Sequence, residues 1–282
     1  MKLATFLHHG IEYVGLVSDS DQSIHPVTDR RSMLDLVGTA DMPRTDTSLR
    51  LAEVRLLAPI PRPVRSIFCV GKNYRDHALE FVRSGFDVGA DAQQIVESDP
   101  IIFTKLATSV VGPYDDVELH EETTQQVDYE GELAIVIGRP GRNILAQDAM
   151  DYVWGYTIVN DVTARDLQKR HRQWDLGKSL DTFCPMGPWI TTADEIDFVK
   201  LTLRTEVNGE ERQSGRATEM IHSIPRLIAT ISSGITLLAG DVIATGTPAG
   251  VGIGLDPPQF LRQGDEVRVS IDGLGSIQNT FR

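Results

Sequence analysis

Three prolines within five residues divide this chain: Pro59, Pro61 and Pro63. Proline fixes φ and has no amide hydrogen, so such a run cannot lie inside a helix or a central strand. The run predicts a domain boundary, with a small N-terminal domain over residues 1–62 and a larger domain over residues 63–282.

Short apolar runs separated by turn residues dominate the larger segment, which is the pattern of β-strands. Leu201–Val207 runs into Asn208-Gly209, a dipeptide that predicts a tight hairpin turn, and Glu266–Ile271 runs into Asp272-Gly273. Helical periodicity is clearest at Ile221–Ser233. The pattern predicts an α+β, mostly β fold with a mixed or antiparallel core rather than a doubly wound parallel sheet. The other predicted strands are Ser66–Val70, Ile101–Lys105, Glu132–Ile137, Tyr152–Asn160 and Asp241–Ala244.

The charge balance excludes some classes of partner. A net charge of −13, from 27 basic and 40 acidic residues, argues against nucleic acid and against an anionic membrane surface, because both need a basic face. Two cysteines are too few for a disulfide framework, and no window approaches 18 apolar residues. We therefore expect a cytoplasmic protein with a small-molecule partner.

Two glutamates, Glu130 and Glu132, open an apolar run. Because side chains alternate along a strand, the two carboxylates project from one face, while Leu133, Ile135 and Ile137 project from the other and can fill a core. Adjacent carboxylates repel unless a positive charge lies between them, and a hard cation with oxygen ligands satisfies both. On this motif alone, a solvated strand face is the commoner interpretation.

Asp161 follows a second apolar run and precedes a segment that turns helical. A carboxylate at a strand end is well placed to be a third metal ligand, although a helix cap is the commoner role for such an Asp. If Asp161 or Thr163 caps the helix, Arg165 and Gln168 lie three residues apart on one face.

Two loops rich in Gly and Pro offer groups that can hold an anion. Lys178 lies in Gly177-Lys178-Ser179, which is not a phosphate loop because position 172 is Arg where that motif needs Gly. Lys178 is then either a carboxylate-binding residue or an exposed surface lysine. The turn over residues 245–252 carries Thr247, and its backbone amides can cradle an anion.

His77 and Glu80 lie three residues apart, so one helical turn brings them together. A carboxylate beside an imidazole orients it and raises its basicity, as a general base requires. The alternative is an incidental pair on a surface helix. The following segment, Phe81–Asp99, is polar and contains glycines, which predicts a mobile lid.

Together these motifs resemble the fumarylacetoacetate hydrolase family, from about Ser66 to Arg282. The resemblance rests on Glu-x-Glu followed by a distant Asp, and on the segments around Asp161, Lys178 and Thr247. It implies a mixed β-sandwich or β-roll with a small N-terminal domain, usually as a homodimer. It also implies one divalent cation per subunit, Mg²⁺ or Mn²⁺, with Glu130, Glu132 and Asp161 as the metal ligands.

The function that this resemblance implies is a metal-dependent hydrolase. It would cleave the carbon–carbon bond of an acylpyruvate or related 2,4-dioxo acid, of the fumarylpyruvate or maleylpyruvate type or a 2,4-diketo-3-deoxy sugar acid, to pyruvate and a carboxylic acid. The implied catalytic residues are His77, Glu80, Lys178, Gln168 and Arg165. The implied substrate-binding residues are Lys178, Thr247, Arg165 and Tyr74.

Two alternatives stay open. The same site could carry tautomerisation or decarboxylation of a 2-oxo dicarboxylate such as oxaloacetate, and the motifs do not separate these reactions from hydrolysis. The His77–Glu80 pair favours hydrolysis, because hydrolysis needs an activated water and the pair could supply the general base. The second alternative is a metal-binding homologue without turnover.

Overall fold

A computed structural model of the chain describes residues 1–18, 20, 22–28, 32–39, 42, 44–83 and 99–282. Strands dominate this part of the chain, so the expected α+β, mostly β fold is confirmed. The predicted lid, Phe81–Asp99, lies largely outside the described residues and stays a prediction. No helix in the described ranges is both long and apolar enough to cross a membrane.

The strands of the described chain are β1 Lys2–His8, β2 Ile11–Ser18, β3 Ser23–Pro26, β4 Leu49–Arg50, β5 Arg55–Leu56, β6 Ile67–Gly71, β7 Ile101–Lys105, β8 Val110–Val111, β9 Val127–Asp128, β10 Gly131–Ile137, β11 Val153–Asn160, β12 Thr163–Ala164, β13 Cys184–Thr192, β14 Thr202–Val207, β15 Glu210–Arg216, β16 Val242–Ala244, β17 Glu266–Ile271 and β18 Gly275–Thr280. The α-helices are α1 Met33–Leu36, α2 Arg75–Arg83, α3 Arg165–His171, α4 Asp175–Lys178 and α5 Ile224–Ser232.

A large mixed sheet forms the frame, in the order β4-β3-β2-β1-β13-β11-β10-β16-β6-β7. Its pairs are antiparallel except where β16 runs parallel to β6, and where β13 also pairs with the short parallel strand β8. A separate antiparallel sheet has the order β15-β14-β17-β18, and β12 pairs with β9. The expected mixed β architecture is therefore confirmed.

The N-terminal segment contributes strands to the same large sheet. Residues 2–8 pair along their whole length with residues 11–17, and Lys2 and Leu3 also pair with β13. The weak alternation of this segment did not predict these strands. The boundary after Arg62 stays a prediction, since strands from before and after this residue belong to the same hydrogen-bonded sheet.

Strand β10 lies near the middle of the sheet and is buried along all seven residues. Leu133, Ile135 and Ile137 pack into the largest core cluster, as their alternation predicts. Ala134 and Val136 pack on the other face, in a second cluster with residues of the N-terminal segment such as Leu3. Because the larger side chains lie on one face and Ala134 and Val136 on the other, a one-residue slip of β10 would misplace all of them, and the packing therefore fixes the acidic residues at its start.

The predicted hairpin turn between β14 and β15 is present. Asn208 and Gly209 have φ values of 53° and 80°. Positive φ at both central positions is the requirement of the turn that suits twisted antiparallel strands, and Asn-Gly meets it with least strain. This hairpin places β15 beside the glycine-rich turn of residues 246–254, where Gln213 holds Thr247.

Candidate metal centre

Three carboxylates meet where β10 begins and β11 ends. The two strands are antiparallel, with Gly131 opposite Asn160, so Glu130 and Asp161 come from adjacent chain ends. The amide of Asp161 donates to the carbonyl of Glu130 at 2.8 Å. One carboxylate oxygen from each of Glu130, Glu132 and Asp161 lies within 4.8 Å of the others, and all three residues are buried.

Two basic side chains contact this acidic cluster. Lys178 Nζ lies 2.8 Å from Oε2 of Glu130 and 2.7 Å from Oδ2 of Asp161, and Arg165 Nη1 lies 2.6 Å from Oε1 of Glu130. Burial disfavours the ionised form of Glu130, but the charges of Lys178 and Arg165 outweigh it and hold the pKa of Glu130 below its usual range. Lys178 is therefore a buried member of the site, and it ends helix α4 rather than lying in a loop.

A third buried cation, Lys105, was not among the predicted site residues. Its Nζ donates to Oδ1 of Asp161 at 2.7 Å and to the carbonyl of Val162 at 3.0 Å, and it also donates to the carbonyl of Lys178. The side chain is completely buried. The available signal was a lysine at the end of the apolar run Ile101–Lys105, since a buried lysine needs a partner.

Glu132 is the least compensated carboxylate of the three. Its Oε2 accepts the amide of Gly246 at 2.8 Å, and no lysine or arginine of the described chain forms an ion pair with it. Burial, together with the charges of Asp161 and Glu130, raises the pKa of Glu132 well above its usual value. A buried acidic oxygen cluster of this kind fits a hard divalent cation such as Mg²⁺ or Mn²⁺, which would supply the missing positive charge.

Arg165 is completely buried at the start of helix α3. Its Nε donates to Oδ2 of Asp128 at 2.9 Å and its Nη1 to Oε1 of Gln168 at 3.3 Å. Its Nη2 has no hydrogen-bond partner among the described residues. An unpaired donor in a buried guanidinium is costly, so Nη2 is a candidate donor to a ligand oxygen. Arg165 and Gln168 do share one face, although Ala164 is the N-cap.

The predicted pair of His77 and Glu80 lies on helix α2, with His77 Nδ1 3.4 Å from Oε2 of Glu80. His77 is 2% exposed and packs edge-on against the ring of Phe81, with the centroids 4.9 Å apart. His77 therefore does not lie on an exposed surface, and the catalytic role of the pair stays a prediction.

The glycine-rich turn does cradle anions, and these are carboxylates of the protein. The amide of Gly246 donates to Glu132, and that of Gly250 donates to Oε1 of Glu80 at 2.8 Å. The amides of Gly252 and Ile253 donate to Asp128. Four backbone amides of one turn thus support three acidic side chains of the site.

Two predicted substrate-binding residues lie near the same turn. The hydroxyl of Thr247 donates to the carbonyl of Gly131 at 2.8 Å and accepts from Nε2 of Gln213 at 2.7 Å, so its donor is already used within the protein. Tyr74 is buried, and burial together with the charge of Glu132 raises the pKa of its phenol. The substrate contacts of Thr247 and Tyr74 stay predictions.

Two family models match nearly the whole chain. Residues 66–282 match the model described as "Fumarylacetoacetate (FAA) hydrolase C-terminal", and residues 1–59 match the model described as "Rv2993c-like, N-terminal". A solved structure titled as a fumarylacetoacetate hydrolase from Exiguobacterium antarcticum is 43% identical, with a TM-score of 0.86, and the match covers 100% of this chain and 99% of that one.

Curated relatives bear on the class of reaction. Oxaloacetate tautomerase YisK of Bacillus subtilis is 55% identical over 81% of this chain and 73% of its own length. A mitochondrial oxaloacetate tautomerase of Xenopus laevis is 48% identical over 82% of this chain and 69% of its own length. Tautomerases are isomerases, so the expectation of a hydrolase is wrong. The expectation failed because the motifs identify an acidic cluster that either reaction could use, and they do not show which bond is broken.

Proposed function

The chain belongs to the fumarylacetoacetate hydrolase family, and from this premise we propose that it interconverts the keto and enol forms of a 2-oxo dicarboxylate of the oxaloacetate type. The observation that carries the proposal is the 55% identity to a relative named as an oxaloacetate tautomerase. The buried polar site supports it, because a tautomerase needs proton transfer and charge stabilisation but no bound water as reactant.

The reaction moves one proton and leaves every carbon–carbon bond intact. In the forward direction the C3–H bond breaks, its electrons form the C2–C3 double bond, and the C2 oxygen gains a proton. A site for this reaction must remove a proton from C3, return one to oxygen, and stabilise negative charge on the C2 oxygen between the two transfers.

Glu130, Glu132 and Asp161 would hold the divalent cation, Mg²⁺ or Mn²⁺. Support for this assignment comes from the all-oxygen ligand set and from Glu132, which has no ion-pair partner in the described chain. When bound, such a cation supplies Lewis-acid chemistry and orientation for the 2-oxo group and the adjacent carboxylate.

His77 is the proposed proton carrier for C3. Glu80 lies against Nδ1 and fixes the ring, which leaves Nε2 to exchange the proton. Glu80 is itself held by the amide of Gly250, so the pair has a fixed place relative to the turn. The edge-on packing of Phe81 also restrains the imidazole.

Arg165 is the proposed donor to the oxygen that gains negative charge. Its Nη2 is buried and has no partner in the described chain, while Gln168 and Asp128 fix its Nη1 and Nε. Lys178 is proposed to bind the substrate carboxylate through the ammonium hydrogen that Glu130 and Asp161 do not accept. Tyr74 and Thr247 are proposed as further substrate contacts.

The proposal is tested by adding the enol form of oxaloacetate to the purified protein and following the loss of enol absorbance. Faster interconversion with Mg²⁺ or Mn²⁺, lost on chelation and restored by the metal, is the expected result. No acceleration by the metal-loaded protein would contradict the proposal. Acylpyruvate cleavage is measured in the same preparation to compare the two reactions.

Three predictions from the sequence remain alongside this proposal: a homodimer, a cytoplasmic location and a domain boundary after Arg62. The homodimer is tested by light scattering on the protein as it elutes from a size-exclusion column.

A further inference from the structure

Asp128 is a completely buried carboxylate that was not among the predicted site residues. Its Oδ1 accepts the amides of Tyr129 at 2.9 Å and Gly252 at 2.7 Å. Its Oδ2 accepts the amide of Ile253 at 3.0 Å and Nε of Arg165 at 2.9 Å. With four donors on two oxygens, the carboxylate is satisfied by the protein and is not left for substrate or metal.

Through these contacts Asp128 joins two parts of the site. On one side it holds Arg165, whose Nη1 contacts Glu130 at 2.6 Å and whose Nη2 has no partner in the described chain. On the other side it holds Gly252 and Ile253 of the turn whose Gly250 supports Glu80, the partner of His77. Asp128 therefore links the guanidinium of Arg165 to the turn that supports Glu80.

The backbone of the turn is shaped for this contact. A β-carbon at Gly252 would collide with the carbonyl oxygen of Gln259 and crowd Oδ1 of Asp128. Gly250 has a φ of 104°, which side chains rarely adopt. Because both glycines allow close approach, the turn reaches Asp128 and Glu80 with main-chain amides.

We infer that Asp128 is a positioning residue that fixes Arg165 so that Nη2 faces the substrate, while it anchors the turn that supports Glu80. The inference rests on the proposed function only for its activity measurement. Orienting partners of this kind set the geometry of the groups that touch substrate, and their loss is felt in turnover.

The substitution Asp128→Asn removes the acceptor Oδ2, which accepts Nε of Arg165 and the amide of Ile253. Its amide oxygen can still accept the amides of Tyr129 and Gly252. Its NH₂ group would face Nε–H of Arg165 and the amide of Ile253, donor against donor, so the guanidinium loses its anchor while the side-chain volume is nearly unchanged. Asp166→Asn is the matched control, because that carboxylate accepts from Thr124 and Gln125 and does not contact Arg165.

Three quantities are measured on each variant: oxaloacetate tautomerisation, the affinity for oxalate with Mn²⁺ present, and protection of the Arg165 Nε–H from solvent exchange by NMR. Oxalate is a planar dianion that resembles the carboxylate and enolate oxygens of a 2-oxo acid. Asp128→Asn should lower kcat and the oxalate affinity by about 10–100-fold. It should also remove protection of Nε–H and lower Tm, because a completely buried ion pair loses one charge; kcat and oxalate affinity are therefore measured well below the Tm of the variant. Asp166→Asn should match the wild type.

Two outcomes overturn the inference: Asp128→Asn keeps wild-type turnover and oxalate affinity, or Asp166→Asn shows the same losses. If Asp128→Asn does not fold, the inference is tested by the exchange measurement on the wild-type protein. An Nε–H that exchanges freely without ligand overturns the role, and one that is protected without ligand supports it. A wild type inactive on oxaloacetate contradicts only the proposed function, since the exchange and oxalate measurements do not depend on turnover.

Discussion

Lys105 Nζ lies 2.7 Å from Oδ1 of Asp161, and both side chains are completely buried. The other ammonium hydrogens reach the carbonyls of Val162 and Lys178. One lysine thus joins the end of β11 to the end of helix α4, the two places from which Asp161 and Lys178 enter the candidate metal centre.

Lys105→Met should destabilise the protein strongly, because it leaves Oδ1 of Asp161 and two carbonyls buried without the donor that Lys105 supplies. The expected loss is about 3–5 kcal/mol, the usual effect of removing one partner of a buried pair. It is measured by urea unfolding. Lys200→Met removes a lysine from an exposed pair with Asp197 and should cost at most about 1 kcal/mol. Equal effects of the two substitutions would show that the Lys105 contacts add nothing to stability.

Glu132→Gln should weaken binding of Mn²⁺ by more than about 10–100-fold, since even outer partners of metal ligands have effects of that size. The amide oxygen still accepts from Gly246, so the fold should be retained. Binding is measured by calorimetry on chelator-treated protein, and bound metal by elemental analysis. Glu122→Gln changes an exposed glutamate and should bind Mn²⁺ as the wild type does. Unchanged affinity in Glu132→Gln would remove Glu132 from the ligand set.

His77→Asn should slow tautomerisation by roughly 10²–10⁴-fold, the usual contribution of a positioned acid–base group. Mn²⁺ should remain bound, because His77 is not one of the three clustered carboxylates. The rate of enol loss and the metal content are measured on one preparation. His120→Asn is the control, as that histidine packs on Phe183 away from the pair. A wild-type rate in His77→Asn would assign the proton transfer to another group.

Gly250→Ala should destabilise the turn and reduce activity together. The new β-carbon would collide with the carbonyl oxygen of Arg212, and the φ of 104° is strained for alanine. A residue in such a conformation costs about 1–3 kcal/mol before any collision is counted. Gly234→Ala adds the same atom in open space and should leave Tm and activity near wild type. The two variants are compared by thermal unfolding and enol loss.

Much of the strand pattern is readable from the sequence, because each predicted strand of the larger segment is bounded by turn residues. The match is closest at β7 and β17, whose observed limits equal the predicted ones. The N-terminal strands were not predicted. Their alternation is weak, and Lys2 and Leu3 of β1 also pair with distant β13, a contact that no local window contains.

Part of the candidate site was predictable from the sequence, because some of its residues lie close together along the chain. Glu130 and Glu132 are close in sequence and share a face, so their proximity follows from strand geometry. Lys105 and Asp128 were missed because their importance depends on contacts with residues far along the chain, Asp161 and Gly252. A single buried charge gives little signal until the fold shows what surrounds it.

The glycine-rich turn stabilises acidic side chains with main-chain amides. An amide hydrogen is present whatever side chain the residue carries, provided that it is not proline. Positions such as Val251 and Ile253 can therefore diverge between related proteins without altering the charges that the turn supports, as long as the backbone keeps its path. At Val251 and Ile253, a substitution is accordingly expected to change the packing against Phe81 and not the hydrogen bonds that the turn donates to acidic side chains.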